Sequence, residues 1–176
     1  MFPVSLRPLP LDAMASAATP AIRALQAAGI SYEVRQFRHD PRATSFGDEA
    51  VAELAGAGFV AAQIFKTLVL AIPGGLAVAV LPVPDKLSFK AAAAALGVPK
   101  AEMAEQAAAQ RSTGYVVGGI SPLGQRKPLP TVVDESALRW DRVLCSAGKR
   151  GLDLVLTPGD LVTATSAVTA EICTAR

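Results

Sequence analysis

The stretch FKTLVLAIPGGLAVAVLPV, residues 65–83, decides the fold. Its two arms, FKTLVLAI (65–72) and LAVAVLPV (76–83), are nearly all apolar, and Pro73-Gly74-Gly75 between them is turn chemistry. Two apolar runs of strand length joined so tightly read as a buried β-hairpin. They do not read as a membrane span. The apolar run from Leu68 to Val83 is broken at the glycines and falls short of the ~20 residues a spanning helix needs.

Upstream of the hairpin, Thr19 is a good N-cap, Pro20 suits a first helical position and Gly29 suits a left-handed C-terminal residue, with Ile22 and Leu25 on one face. ISYEVRQF (30–37) alternates as a half-buried strand does. After a turn at Asp40-Pro41, a helix is expected from about Gly47 to Leu54, ended by Gly56. Three prolines and Asp12 interrupt the apolar character of residues 1–17. That segment is expected to be a disordered tail or the product of a misplaced start codon rather than an export signal, leaving 18–176 as one domain.

Downstream, SFKAAAAAL (88–96) predicts a helix capped by Ser88 and stopped by Gly97 and Pro99, and KAEMAEQAAAQ (100–110) predicts another. TGYVVGGI (113–120) reads as a short strand running into glycines, and SPLGQRKPLP (121–130) as irregular loop. TVVDE (131–135), RVLCS (142–146) and LDLVL (152–156) are strand-like. Thr157-Pro158-Gly159-Asp160 opens a short helix, and AVTAEI (167–172) is a closing strand. Strands and helices mix without a βαβ rhythm or a repeat of roughly 20–50 residues. The expected fold is α+β: one domain around a mixed, strongly curved, barrel-like sheet with surrounding helices.

Composition removes several classes. The 176 residues are 51% hydrophobic and 18% charged, too apolar for a disordered chain. Seventeen Lys and Arg against fifteen Asp and Glu leave a formal charge of +2, so nucleic-acid binding would need a local basic patch. Cys145 and Cys173 are the only cysteines, which suits a reducing cytoplasm and excludes a disulfide scaffold. The one histidine, His39, and the lack of a C-x-x-C pair exclude a His-rich zinc site, and no cofactor motif is present.

Three constellations carry possible chemistry. Lys66 heads an apolar strand: it either snorkels to solvent or aims its ammonium into a cleft as a point charge. Thr67 beside it points to the opposite face, so only one of the two can face a given pocket. VVGGISPLGQ (116–125) is either an ordinary turn or a backbone platform that holds an oxyanion or phosphate. CSAGKRGLD (145–153) is either a solvated basic hairpin tip or a cleft mouth. In the second case Ser146 and Asp153 face the cleft, and Lys149 and Arg150 reach for phosphates. Arg111, Arg126 and Lys127 add to the basic cluster around the two glycine loops. His39, in a turn after a strand, is read as a structural hydrogen-bonding group.

Taken together, FGDEA (46–50), FKTLV (65–69), QRSTGYVVGGISPLGQRK (110–127) and SAGKRGLD (146–153) resemble the YbaK/EbsC family of free-standing aminoacyl-tRNA editing proteins, relatives of the insertion domain of prolyl-tRNA synthetase. The resemblance runs from about Thr19 to Ile172. It implies a deacylase for cysteine on tRNA(Pro), and on tRNA(Cys), that uses neither metal nor cofactor. The implied partners are the acceptor end of aminoacyl-tRNA and prolyl-tRNA synthetase. It places the essential lysine at Lys66 and substrate contacts at Phe37, Phe46, Thr67, Gly118, Gly119, Ile120, Ser121, Pro122, Ser146, Gly148 and Asp153. Phosphate contacts fall to Arg111, Arg126, Lys127, Lys149 and Arg150. Phe37 stands where relatives often carry Tyr, which removes a phenolic hydroxyl, and Ala147 replaces a common glycine.

The implied mechanism is substrate-assisted. The cysteine thiol attacks its own ester carbonyl, and the tRNA hydroxyl leaves as a thiolactone forms. This would be lyase-type chemistry, and hydrolase-type if water intervenes instead. Two alternatives stand beside it: a water-dependent editor of alanine or serine on tRNA, and a binding module without chemistry.

Overall fold

The computed structural model describes residues 18–42 and 45–175; the expected tail, residues 1–17, lies outside them. In chain order the first elements are α1 (Pro20–Ala28), β1 (Glu33–Gln36), α2 (Phe46–Ala55), β2 (Phe65–Ile72) and β3 (Gly75–Pro82). Next come α3 (Phe89–Leu96), β4 (Glu102–Met103), α4 (Gln106–Thr113) and β5 (Thr131–Asp134). The chain closes with β6 (Val143–Lys149), β7 (Leu152–Leu156), α5 (Pro158–Thr165) and β8 (Val168–Ala170). Short 3-10 turns at Ala61–Gln63 and Glu135–Arg139 complete the described segments.

The hairpin read from 65–83 forms as expected. β2 and β3 pair antiparallel from Phe65↔Pro82 to Ile72↔Gly75, and Gly74 makes the turn at φ 80°. β3 is interior: β5 runs parallel to its other edge, β8 parallel to β5, and β4 joins the outer edge of β2. That explains why Ala77 to Leu81 are wholly buried and apolar. β1, β7 and β6 form a second, antiparallel sheet. One parallel bridge, Ile64–Leu144, ties the sheets together. The α+β class and the mixed sheet are as expected, but the strands divide between two sheets and no closed barrel forms among the described residues.

Each helix covers one apolar face. Ala21, Ile22 and Leu25 of α1 pack with Val34, Cys145 and Leu154. Ala50 and Leu54 of α2 pack on Ile64, Leu144 and Val155. Ala92 of α3 packs with Leu70, Leu81 and Ile172. The Thr19 hydroxyl accepts from Ile22 N–H and donates to the Ala147 carbonyl, so one cap also anchors α1 to β6. Ala147 lies outside the left-handed region, so its methyl group costs no backbone strain.

Four expectations are corrected. The strand expected at 30–37 is confined to Glu33–Gln36, and that expected at 167–172 to Val168–Ala170. The helix expected at 100–110 is instead the two-residue β4 followed by α4, which begins at Gln106. The free edge of β2 captures this segment: Ala104 N–H donates to Val69 O at 3.0 Å. Residues 113–120 are not a strand. α4 runs on to Thr113, Gly114 and Gly118 take positive φ, and the Tyr115 hydroxyl donates to Leu123 O at 2.6 Å, folding the segment back as a loop.

Candidate active site

β4 takes the outer edge of β2 only at Leu70 and Ala71, while the link to β6 is made at Ile64. Beyond the Ala104–Val69 bond, the edge down to Ile64 has no strand partner among the described residues, and a cavity of about 480 Å³ opens along it. Lys66 and Thr67 are both among the residues that line it. The Thr67 hydroxyl is buried and has no hydrogen-bond partner among the described residues.

Lys66 does not snorkel into solvent. Its ammonium donates to the backbone carbonyls of Val83 at 3.1 Å and Asp85 at 2.6 Å, which fixes the charge at the end of the hairpin. Burial lowers its pKa, opposed by the charges of Asp85, Cys173 and Asp48. Two of its three protons are committed to carbonyls, and one remains to offer a ligand.

Opposite lies the β6–β7 hairpin. Ser146 and Asp153 are directly paired across it, so their side chains share one face, and both line the cavity. The register then slips, Lys149 pairing with Leu152, and the strand bulges at Ala147 and Gly148. Asp153 is 6% exposed, and no hydrogen bond from the described residues offsets the burial of its carboxyl. Burial pushes its pKa up to about 7. The Ser146 hydroxyl accepts from Gly148 N–H at 3.1 Å.

The third wall comprises the start of α2 and the 116–120 loop. Phe37, Phe46, Val117, Gly118 and Ile120 line the cavity, with Gln106 and Ala109 of α4 behind them. Gly118, at φ 89°, lies so close to Phe46 that an added Cβ would sit 2.7 Å from the ring. His39 is structural, as expected: its Nδ1 is 2.9 Å from Glu49 Oε2. Glu49 also accepts from Asp40 N–H, chiefly this bond lowering its pKa.

Several sequence-predicted residues lie outside the cavity. Gly119 N–H donates to Val116 O at 2.9 Å and so is not free to hold an oxyanion. Ser121 is fully buried, its hydroxyl accepting from Leu123 N–H, and Pro122 is buried beside it. Gly148 packs against Tyr115, where a Cβ would meet Cε1 at 2.5 Å. These four build the walls rather than the surface. Arg111, Arg126 and Lys127 are exposed together at the C-terminal end of α4, where the N–H groups of Arg126 and Lys127 donate to the carbonyls of Thr113 and Ser112. Lys149 and Arg150 do line the cavity, but Arg150 donates to Val117 O through Nε at 3.0 Å and Nη2 at 2.6 Å. The residues missed were those acting through backbone: the carbonyls of Val83, Asp85 and Val117, for which side-chain identity carries no signal. Among the described residues, no group of three or more His, Cys, Asp or Glu could hold a metal ion, and no helix is long and apolar enough to cross a membrane.

The chain matches known proteins along this architecture. The profile of the aminoacyl-tRNA editing domain matches residues 44–164. EbsC of Enterococcus faecalis, named for Cys-tRNA(Pro)/Cys-tRNA(Cys) deacylase activity, is 39% identical over 127 residues, which is 72% of this chain and 76% of that protein. A proline–tRNA ligase of Shouchella clausii is 32% identical over 142 residues, 81% of this chain but only 24% of the ligase. A crystal structure described as a trans-editing enzyme for prolyl tRNA synthetase superposes with TM-score 0.76 at 26% identity, covering 90% of this chain and 99% of that one. The family profile takes in β2, the 116–120 loop and the β6–β7 hairpin, the three segments that enclose the cavity, and the chain belongs to the aminoacyl-tRNA editing domain family.

Proposed function

We propose that this protein is a trans-editing deacylase that removes cysteine wrongly esterified to tRNA(Pro). The observation that carries the reading is the pairing, in one cavity, of a fixed ammonium with a buried carboxyl that has no donor. A carboxyl in that state is costly unless a ligand completes it. The α-ammonium of an aminoacyl ester supplies the missing donor, and Lys66 meets the phosphate of the terminal adenosine by charge. Gly118 and Ile120 N–H groups, which have no partner in the described fold, are the donors proposed for the carbonyl oxygen. One such donor contributes roughly 10²–10³ in rate in other systems.

With no histidine base in the cavity, the reacting thiol is the substrate's own. At pKa ~8.5 it is a few per cent thiolate near neutrality. Its sulfur attacks the ester carbonyl, the bond to the ribose oxygen breaks, and the thiol proton ends on that oxygen, releasing tRNA and a cysteine thiolactone. The cavity supplies proximity by holding thiol and carbonyl together. Selection of tRNA(Pro) falls to prolyl-tRNA synthetase as a partner in the cytoplasm, while the basic residues at the end of α4, Arg111, Arg126 and Lys127, meet the acceptor stem.

One observation favours a second reading. A carboxyl titrating near 7 suits a general base, so Asp153 could activate water against esters of alanine or serine. Single-turnover deacylation of tRNA(Pro) carrying cysteine or α-aminobutyrate separates the two. The thiol route clears the first and leaves the second, and equal rates would overturn it in favour of water.

A further inference from the structure

Read from sequence, Arg150 is one more phosphate contact; in the structure its guanidinium is already engaged. Nε and Nη2 both donate to the Val117 carbonyl, and Cζ stands 4.5 Å from the centroid of the Phe46 ring. Gly118 fits beneath this pair because it has no side chain: a Cβ there would lie 2.7 Å from Phe46 Cδ2 and 2.8 Å from Arg150 Nε. Three separate segments therefore meet at one guanidinium: the first residue of α2, the 116–120 loop and the tip of the β6–β7 hairpin. All three line the cavity.

We propose that Arg150 is a positioning residue, a latch that docks the 116–120 loop on Phe46 and closes the cavity mouth around its ligand. Planarity is what allows it to stack on a ring and donate twice to one carbonyl. The latch is exposed, so a cation–π contact and a hydrogen bond there favour the closed mouth by only on the order of tenfold. Such a bias suits a mouth that must also open to release tRNA. The loop keeps its own shape without the latch, since Val117 N–H donates to Gln110 Oε1 at 3.0 Å and Gly119 N–H to Val116 O at 2.9 Å. Loss of Arg150 therefore undocks the loop and lets these two bonds open more often, without unfolding the domain.

The kinetic arm of the test rests on the editing function proposed above; the structural arm does not. Arg150→Ala and Arg150→Lys are compared with the wild-type chain by amide hydrogen exchange without ligand, and by deacylation of Cys-tRNA(Pro) at several salt concentrations. The latch predicts exchange at residues 116–120 faster by on the order of tenfold in both variants. It also predicts kcat lowered by a similar factor, KM nearly unchanged, and no rescue by lysine. A phosphate contact would instead leave Arg150→Lys like wild type, raise KM in Arg150→Ala and reduce the salt slope by about one; that result, or unchanged exchange in both variants, overturns the proposal. Should the wild-type chain prove inactive on every charged tRNA, the editing function fails and the exchange arm alone decides the latch.

Discussion

Asp153 concentrates the physical tension of the molecule in one side chain. Its carboxyl pKa moves from 3.8 to about 7 because burial penalises the charge. Between those values the folded state holds a proton that the unfolded chain has lost, so stability falls as pH rises and the full cost is present above pH 7. That cost is roughly 4 kcal/mol. Asp153→Asn is therefore expected to be more stable than wild type at pH 8, with the gain fading toward pH 4, as followed by urea denaturation across pH. On the proposed function, the same variant is expected to lose deacylation, because a neutral amide cannot form a charge pair with the ester's ammonium. A buried group whose ionisation costs the fold stability is common at ligand sites. Asp153 and Lys66 were both legible as residues in the sequence. Their states were not, since burial and the carbonyls that fix Lys66 come from the assembled fold.

At the level of elements, the glycine segments divide into those that bound the cavity and those that shape the chain behind it. Gly148 belongs to the second kind. At φ 97° and with Tyr115 where its Cβ would go, Gly148→Ala is expected to cost about 2–4 kcal/mol by denaturant unfolding. The hairpin at 65–83, the caps of α1 and the Ala-rich α3 were readable because local propensity and pattern agree there with the final structure. Residues 100–110 show where that agreement ends. Their composition favours helix, yet two of them pair with the edge of β2 at Leu70 and Ala71, since an open ladder offers hydrogen bonds that propensity does not weigh. TGYVVGGI likewise has strand composition, but its tyrosine hydroxyl and left-handed glycines turn it into the loop that the cavity requires.

For the whole molecule, the division into two sheets makes the cavity possible. A sheet closed continuously past Ile64 would cover the β2 edge along which the cavity opens. The two halves meet at the Ile64–Leu144 bridge, with both side chains buried under α2. Leu144→Ala is expected to cost about 3 kcal/mol while leaving a single cooperative transition with an unchanged urea m-value. A second transition would mean that the sheets fold apart. Sequence indicated the class and the mixed sheet but not this division, which depends on how far each strand pairs rather than on which residues form strands.

All of this converges on the cavity between the sheets and the ammonium fixed at its rim. Single-turnover deacylation of Cys-tRNA(Pro) by the wild-type chain and by Lys66→Ala, with thermal unfolding of both, tests it most directly. Wild type is expected to clear the ester, and the variant, folded to the same Tm, to be slower by on the order of a hundredfold. A variant that keeps the wild-type rate, or a wild-type chain that leaves the ester intact, would contradict it.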